Sequence, residues 1–125
     1  MQRFLLIVAA IVLTSTAQAQ SDADEYKVVL PDGAQQCILP ASTDKISNQA
    51  TLDQLKEAKA QIAVFQENVL IFRDCLKAAE DNPNNTEGNK QAIISSFNYS
   101  VDMEERIAER FNVAIRSYKQ RNPSN

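Results

Sequence analysis

Cys37 and Cys75 are the only cysteines in a chain that also has no histidine and no tryptophan. They lie too far apart for the Cys-x-x-Cys spacing that lowers a thiol pKa and marks a redox motif. In an oxidising compartment an even pair with no neighbouring ligand is most simply a disulfide. A buried reduced pair, a bridge between two chains and a redox site are the alternatives. The other concentration of ionisable groups is Asp102, Glu104, Glu105, Arg106, Glu109 and Arg110. Carboxylates at this density suggest a cation site or an acid pair, but Asp102 with Arg106 and Arg106 with Glu109 have the spacing of ordinary ion pairs on a helix surface. A hard cation needs oxygens converging from several backbone directions, and the Asp-x-Asp-x-Asn-Gly loop is absent. With no histidine and only two glycines, imidazole ligands, histidine proton shuttles and glycine-rich phosphate loops drop out. We therefore expect no catalytic residue, no cofactor and no metal site, and read the chain as not an enzyme.

The compartment that would oxidise the cysteines is written at the start of the chain. Met1-Gln2-Arg3 is a basic opening, Phe4 to Leu13 is an unbroken apolar run, and Ala17-Gln18-Ala19 is a small-residue cleavage site, together a secretory signal peptide over residues 1–19. The expected cut falls between Ala19 and Gln20. Ten apolar residues rise only about 15 Å as a helix, too short for a hydrocarbon core of about 30 Å, so no transmembrane anchor is expected after signal removal. The first cysteine lies well beyond the cut, which argues against a lipoprotein. The destination is the periplasm or, alternatively, the medium.

About one hundred residues remain, enough for one domain. Loss of Arg3 makes the remainder one unit more negative than the −3 of the full chain. Nucleic-acid binding relies on clustered Lys and Arg to displace counterions, so no nucleic-acid partner is expected. The basic residues Arg110, Arg116, Lys119 and Arg121 suit the negative end of a helix dipole.

Three segments follow the signal. Residues 20–50, with Pro31, Gly33 and Pro40, read as extended or irregular, with a β-prone run from Tyr26 to Leu30 and a turn at Pro31-Asp32-Gly33. From residue 51 to 80 there is no Pro or Gly, and Leu55, Ala58, Ile62, Phe65, Val69, Phe72, Leu76 and Ala79 recur by threes and fours. This is the seam of a long, coiled-coil-like amphipathic helix, opened by a capping box of Thr51 and Gln54. Asp81 to Glu87 has the composition of a polar loop. A second helix is expected over residues 89–120 on the seam Ile94, Phe97, Val101, Glu104, Ala108, Phe111, Ile115 and Tyr118, leaving 121–125 as a tail.

Two long helices joined by so short a loop fold back as an antiparallel hairpin, with facing residue numbers adding to about 170. Glu104 then falls on the seam near Phe65, as a register-setting polar residue or as a sign that the phase drifts, and we favour drift or snorkelling to solvent. The fold class is all-α, a long antiparallel two-helix hairpin with the extended N-terminal segment tied to it by Cys37–Cys75. Thr51 to Cys75 spans about 36 Å of helix, while the residues from Cys37 to Thr51 can reach about 46 Å, so a bridge within one chain is feasible. It would make residues 38–50 run back along the hairpin, with Ile38, Leu39 and Ile46 covering apolar surface. Val64, Leu70, Ile71, Ile93, Met103, Ile107 and Val113 lie off the seam. Leu70, Ile71, Met103 and Ile107 form the candidate partner-binding face, for an unknown protein or for a second copy in a homodimer.

Cys37-Ile38-Leu39-Pro40, Arg73-Asp74-Cys75-Leu76, and the stretches Phe97 to Asp102 and Glu109 to Asn112 resemble a group of small exported helical-hairpin proteins of Gram-negative bacteria. That group combines a signal peptide, an early Cys-x-x-Pro and a second Cys late in the first of two long helices. The resemblance implies a scaffold with no assigned reaction and carries over no functional residue. Periplasmic hairpin chaperones are a looser likeness, without their strand-rich trimerisation core or basic surface in this chain. The functional expectation is a protein–protein interaction or structural module. A periplasmic holdase is the first alternative and a thiol, redox or enzymatic protein the second.

Overall fold

A computed structural model of the chain describes residues 27–124. The expected signal peptide, its Ala19–Gln20 cut and Tyr26 lie outside the described residues. The architecture is all-helical, as expected. A single-turn helix α1 (Asp32–Gln35) precedes two long antiparallel helices, α2 (Leu52–Glu80) and α3 (Glu87–Arg121). At 29 and 35 residues they are about 43 and 52 Å long.

Local chemistry sets their ends. Thr51 accepts from the Gln54 backbone N–H while the Gln54 side chain accepts from the Thr51 N–H, the expected capping box. Thr86 and Asn89 build the same device for α3, so that helix starts at Glu87 rather than Asn89. Asn85 closes the loop by donating to the Ala79 and Glu80 carbonyls at 2.8 and 3.2 Å, satisfying acceptors that the end of α2 leaves open.

The seam on α2 is the expected one. Leu55, Phe65, Val69, Phe72 and Leu76 are buried, and Ala58, Ile62 and Ala79 are half-buried. On α3 the expected phase is wrong by about one residue. Ile93, Ser100, Ile107 and Ala114 are buried at strict heptad spacing, while Ile94 and Phe97 are 46% and 39% exposed. Phe111 and Tyr118 stay at the seam's edge, packed around Leu55 and Ala114. Two other clusters continue the core, Phe65, Val69 and Ile107 in the middle and Phe72, Leu76, Ile93 and Ala34 near the loop.

Cys37 and Cys75 are bridged within the chain, with Cα atoms 5.6 Å apart. Residues 27–50 form a strap across the hairpin. Lys27 crosses Gly88 so closely that a Cβ there would overlap the Lys27 carbonyl, and Asn89 donates to the Val29 carbonyl at 2.8 Å. The β-prone residues from Lys27 to Leu30 therefore dock on the start of α3 without becoming a strand. The expected turn at Pro31 tightens into α1, whose buried Ala34 joins the core. Farther along, Arg110 donates to Ser42 Oγ at 3.2 Å and Arg121 to the Ala50 carbonyl at 3.0 Å. Leu39 and Ile46 pack against the core as expected. Ile38 does not: it is 83% exposed.

Candidate interaction surface

The disulfide consumes both cysteines, so no free thiol remains among the described residues. The acidic and basic run on α3 is dispersed. Glu109 pairs with Arg116 at 3.0 Å, Arg106 lies 5.8 Å from the Tyr99 ring centre, and Arg110 holds the strap. Neither expected pair, Asp102–Arg106 or Arg106–Glu109, forms within 4.0 Å among the described residues. Arg106, shared by both pairs, lies over the Tyr99 ring instead, and Glu109 is taken by Arg116. Arg121, assigned from the sequence to the helix dipole, also closes the strap against the Ala50 carbonyl.

Glu104 has a partner. Its Oε2 accepts from Arg73 at 2.8 Å and its Oε1 from Gln66 at 3.3 Å. Arg73 also donates through Nε to Ser100 Oγ at 2.9 Å, and Ser100 donates to the Phe97 carbonyl at 2.6 Å. The Arg73 guanidinium lies 5.5 Å from the Phe97 ring centre. The charge at the seam's edge is thus compensated by hydrogen bonds, which is what tolerates it there.

The candidate apolar face divides. Ile107 is 1% exposed and, with half-buried Met103, belongs to the core around Phe65 and Val69. Both are corrected from surface to interior, a consequence of the shifted α3 phase. Leu70 and Ile71 remain at the surface, 59% and 63% exposed, as does Val64 at 58%. These neighbouring positions face different ways. Leu70 lies on the helical row of Gln66 and Arg73, on the flank where the Glu104 network bridges the helices. Ile71 lies with Val64 on the flank beside the strap.

Between that flank and the strap runs a groove of about 840 Å³. Val64, Phe65, Asn68 and Ile71 form its floor, and Ile38 with Pro40 to Asp44 forms its wall. Sequence reasoning missed the groove because its wall comes from a segment with no periodicity. The sequence holds no local signal for it, since the pattern alone puts Ile38 over apolar surface whereas it is exposed at the groove's wall. No cluster of three or more His, Cys, Asp or Glu residues suited to hold a metal occurs among the described residues, and no helix among them is long and apolar enough to cross a membrane.

No protein-family model, curated protein or solved structure matches the chain.

Proposed function

We propose that the chain is an exported, non-catalytic binding module that holds a protein partner against the apolar surface of α2. The observation that carries this reading is the exposure of Val64 and Ile71 together on the flank of α2 beside the strap. The hairpin has a filled core, capped helices and a disulfide-held strap, yet these side chains stay in water. Exposed apolar surface next to a groove favours association.

Export to the periplasm rests on the signal pattern of residues 1–19, and the Cys37–Cys75 bridge suits an oxidising compartment. The intact mass of the exported protein checks it. The expected chain begins at Gln20, is two hydrogens light and resists alkylation until reduced.

Binding is tested by placing a photoreactive residue at Val64 or Ile71 in exporting cells, with Lys59 as the control position. A discrete adduct from Val64 or Ile71 but not from Lys59 supports a specific partner. An adduct of twice the chain's own mass identifies that partner as a second copy. A broad ladder of adducts replaces this reading with the holdase alternative, and no adduct from either position overturns both.

A further inference from the structure

Resting on that binding reading, we infer that the groove beside α2 receives an extended, apolar segment of another polypeptide carrying a basic side chain at one end. Three independent features select this occupant.

The first is the backbone of the wall. From Ile38 to Ile46 the strap has no regular secondary structure, and none of its N–H or C=O groups takes part in a backbone–backbone hydrogen bond among the described residues. Among the described residues the one hydrogen bond to its carbonyls is a long one, Ser42 Oγ donating to the Thr43 oxygen at 3.5 Å. The disulfide at Cys37 and the Arg110 contact at Ser42 hold this stretch in place. A strap held from both sides, whose carbonyls and, except at Pro40, N–H groups lie outside any backbone–backbone hydrogen bond, offers main-chain partners to an added chain. A peptide laid beside it gains main-chain hydrogen bonds, while alternate side chains enter the groove.

The second feature is the floor. Val64 and Ile71 are spaced by about two helical turns, are largely exposed, and lie on one helical row with Asn68 between them, all three lining the groove. An extended chain advances about 3.3 Å per residue, so alternate side chains fall about 7 Å apart. Two alternate side chains about 7 Å apart fit within the roughly 10 Å from Val64 to Ile71, so the floor has room for them. A helical ligand would leave the strap's backbone groups unanswered.

The third feature is charge. The charged residues lining the groove are both acidic, Asp44 and Glu57, and they lie together at one end, since both also line the adjoining recess. Neither belongs to an ion pair among the described residues. Lys45 lines that recess but not the groove. A ligand with Lys or Arg at that end would meet two unpaired carboxylates, whereas an acidic one would be repelled.

The test titrates the isotope-labelled mature protein with short synthetic peptides of alternating valine and threonine, ending in arginine or in glutamate, with the charge at either terminus. For one arginine peptide we expect amide shifts at residues 41–44 and around Val64 and Ile71. Its binding should be roughly three- to tenfold tighter than that of its glutamate counterpart, in line with exposed ion pairs. Val64→Asp and Ile71→Asp should abolish those shifts while leaving the helical signal intact, and Glu57→Lys should remove or reverse the charge preference. Equal binding of both peptides, no binding at millimolar concentration, or shifts centred on Leu70, Ile94 and Phe97 would overturn the inference. A discrete adduct from Val64 or Ile71 in exporting cells, together with failure of every peptide, would reject the extended basic ligand and leave the binding module standing.

Discussion

Arg73 on α2 and Glu104 on α3 meet at 2.8 Å across the hairpin, with side chains 16% and 30% exposed. The pair fixes how the two helices slide and rotate against each other, because Arg73 is also held by Ser100 and Glu104 by Gln66. The two members differ in what they leave behind. Glu104→Ala leaves the more buried guanidinium with the Ser100 hydrogen bond and the Phe97 ring but no counter-charge and should cost about 2 kcal/mol, while Arg73→Met keeps an apolar stem and should cost about 1 kcal/mol. Urea unfolding of both single variants and the double variant should give a coupling energy near 1 kcal/mol. Strict additivity would mean the contact contributes no net stability.

Gly88 reverses a usual expectation. Replacing an exposed helical glycine by alanine gains about 1 kcal/mol, but here the added methyl would meet the Lys27 backbone. Backbone cannot move aside as a side-chain tip can. Gly88→Ala should therefore destabilise the protein by about 1–3 kcal/mol, in the range of overpacking. Hydrogen exchange should show protection lost at residues 27–30. A rise in melting temperature would show that the strap's first residues do not dock on α3.

The Cys37–Cys75 bridge spans 38 residues of sequence, so its removal should lower stability by about 4 kcal/mol in the chain-entropy model. Cys37→Ser with Cys75→Ser should keep α2 and α3, whose clusters around Leu55 and Phe65 do not involve the bridge. The same variant should open residues 38–46 to limited proteolysis. A loss under 1 kcal/mol would mean that Ala34, Leu39 and the Arg121 contact hold the strap unaided.

Leu70 and Ile107, grouped from the sequence as one apolar face, should respond in opposite ways. Leu70→Ser, at an exposed site, should change stability by no more than about 0.5 kcal/mol. Ile107→Ala opens a hole between Phe65 and Val69 and should cost about 2–5 kcal/mol. Chemical denaturation of the two variants checks the assignment directly.

The sequence by itself determined the class of fold and much of its detail: two antiparallel helices, the α2 seam residue by residue, the Thr51 cap and a feasible bridge from Cys37 to Cys75. These were legible because each depends on local pattern or chain reach. Residues of one type recurring by threes and fours bury one face whatever packs against it, and an extended segment spans only so far. The rotation of α3 was decided by tertiary structure. Its expected stripe of Ile94, Phe97, Val101 and Ile115 is more uniformly hydrophobic than the buried row of Ile93, Ser100, Ile107 and Ala114, in which two positions are small. Hydrophobicity alone therefore pointed to the wrong face by about one residue. Small side chains win that position because they lie against the large ones of α2, Leu55 packing on Ala114 and Arg73 hydrogen-bonding Ser100. The groove is decided at the same level. Its wall comes from a different part of the chain than its floor, and the aperiodic wall is placed by tertiary contacts: the disulfide, the Arg110 bond to Ser42 and the packing of Leu39 and Ile46 on the core.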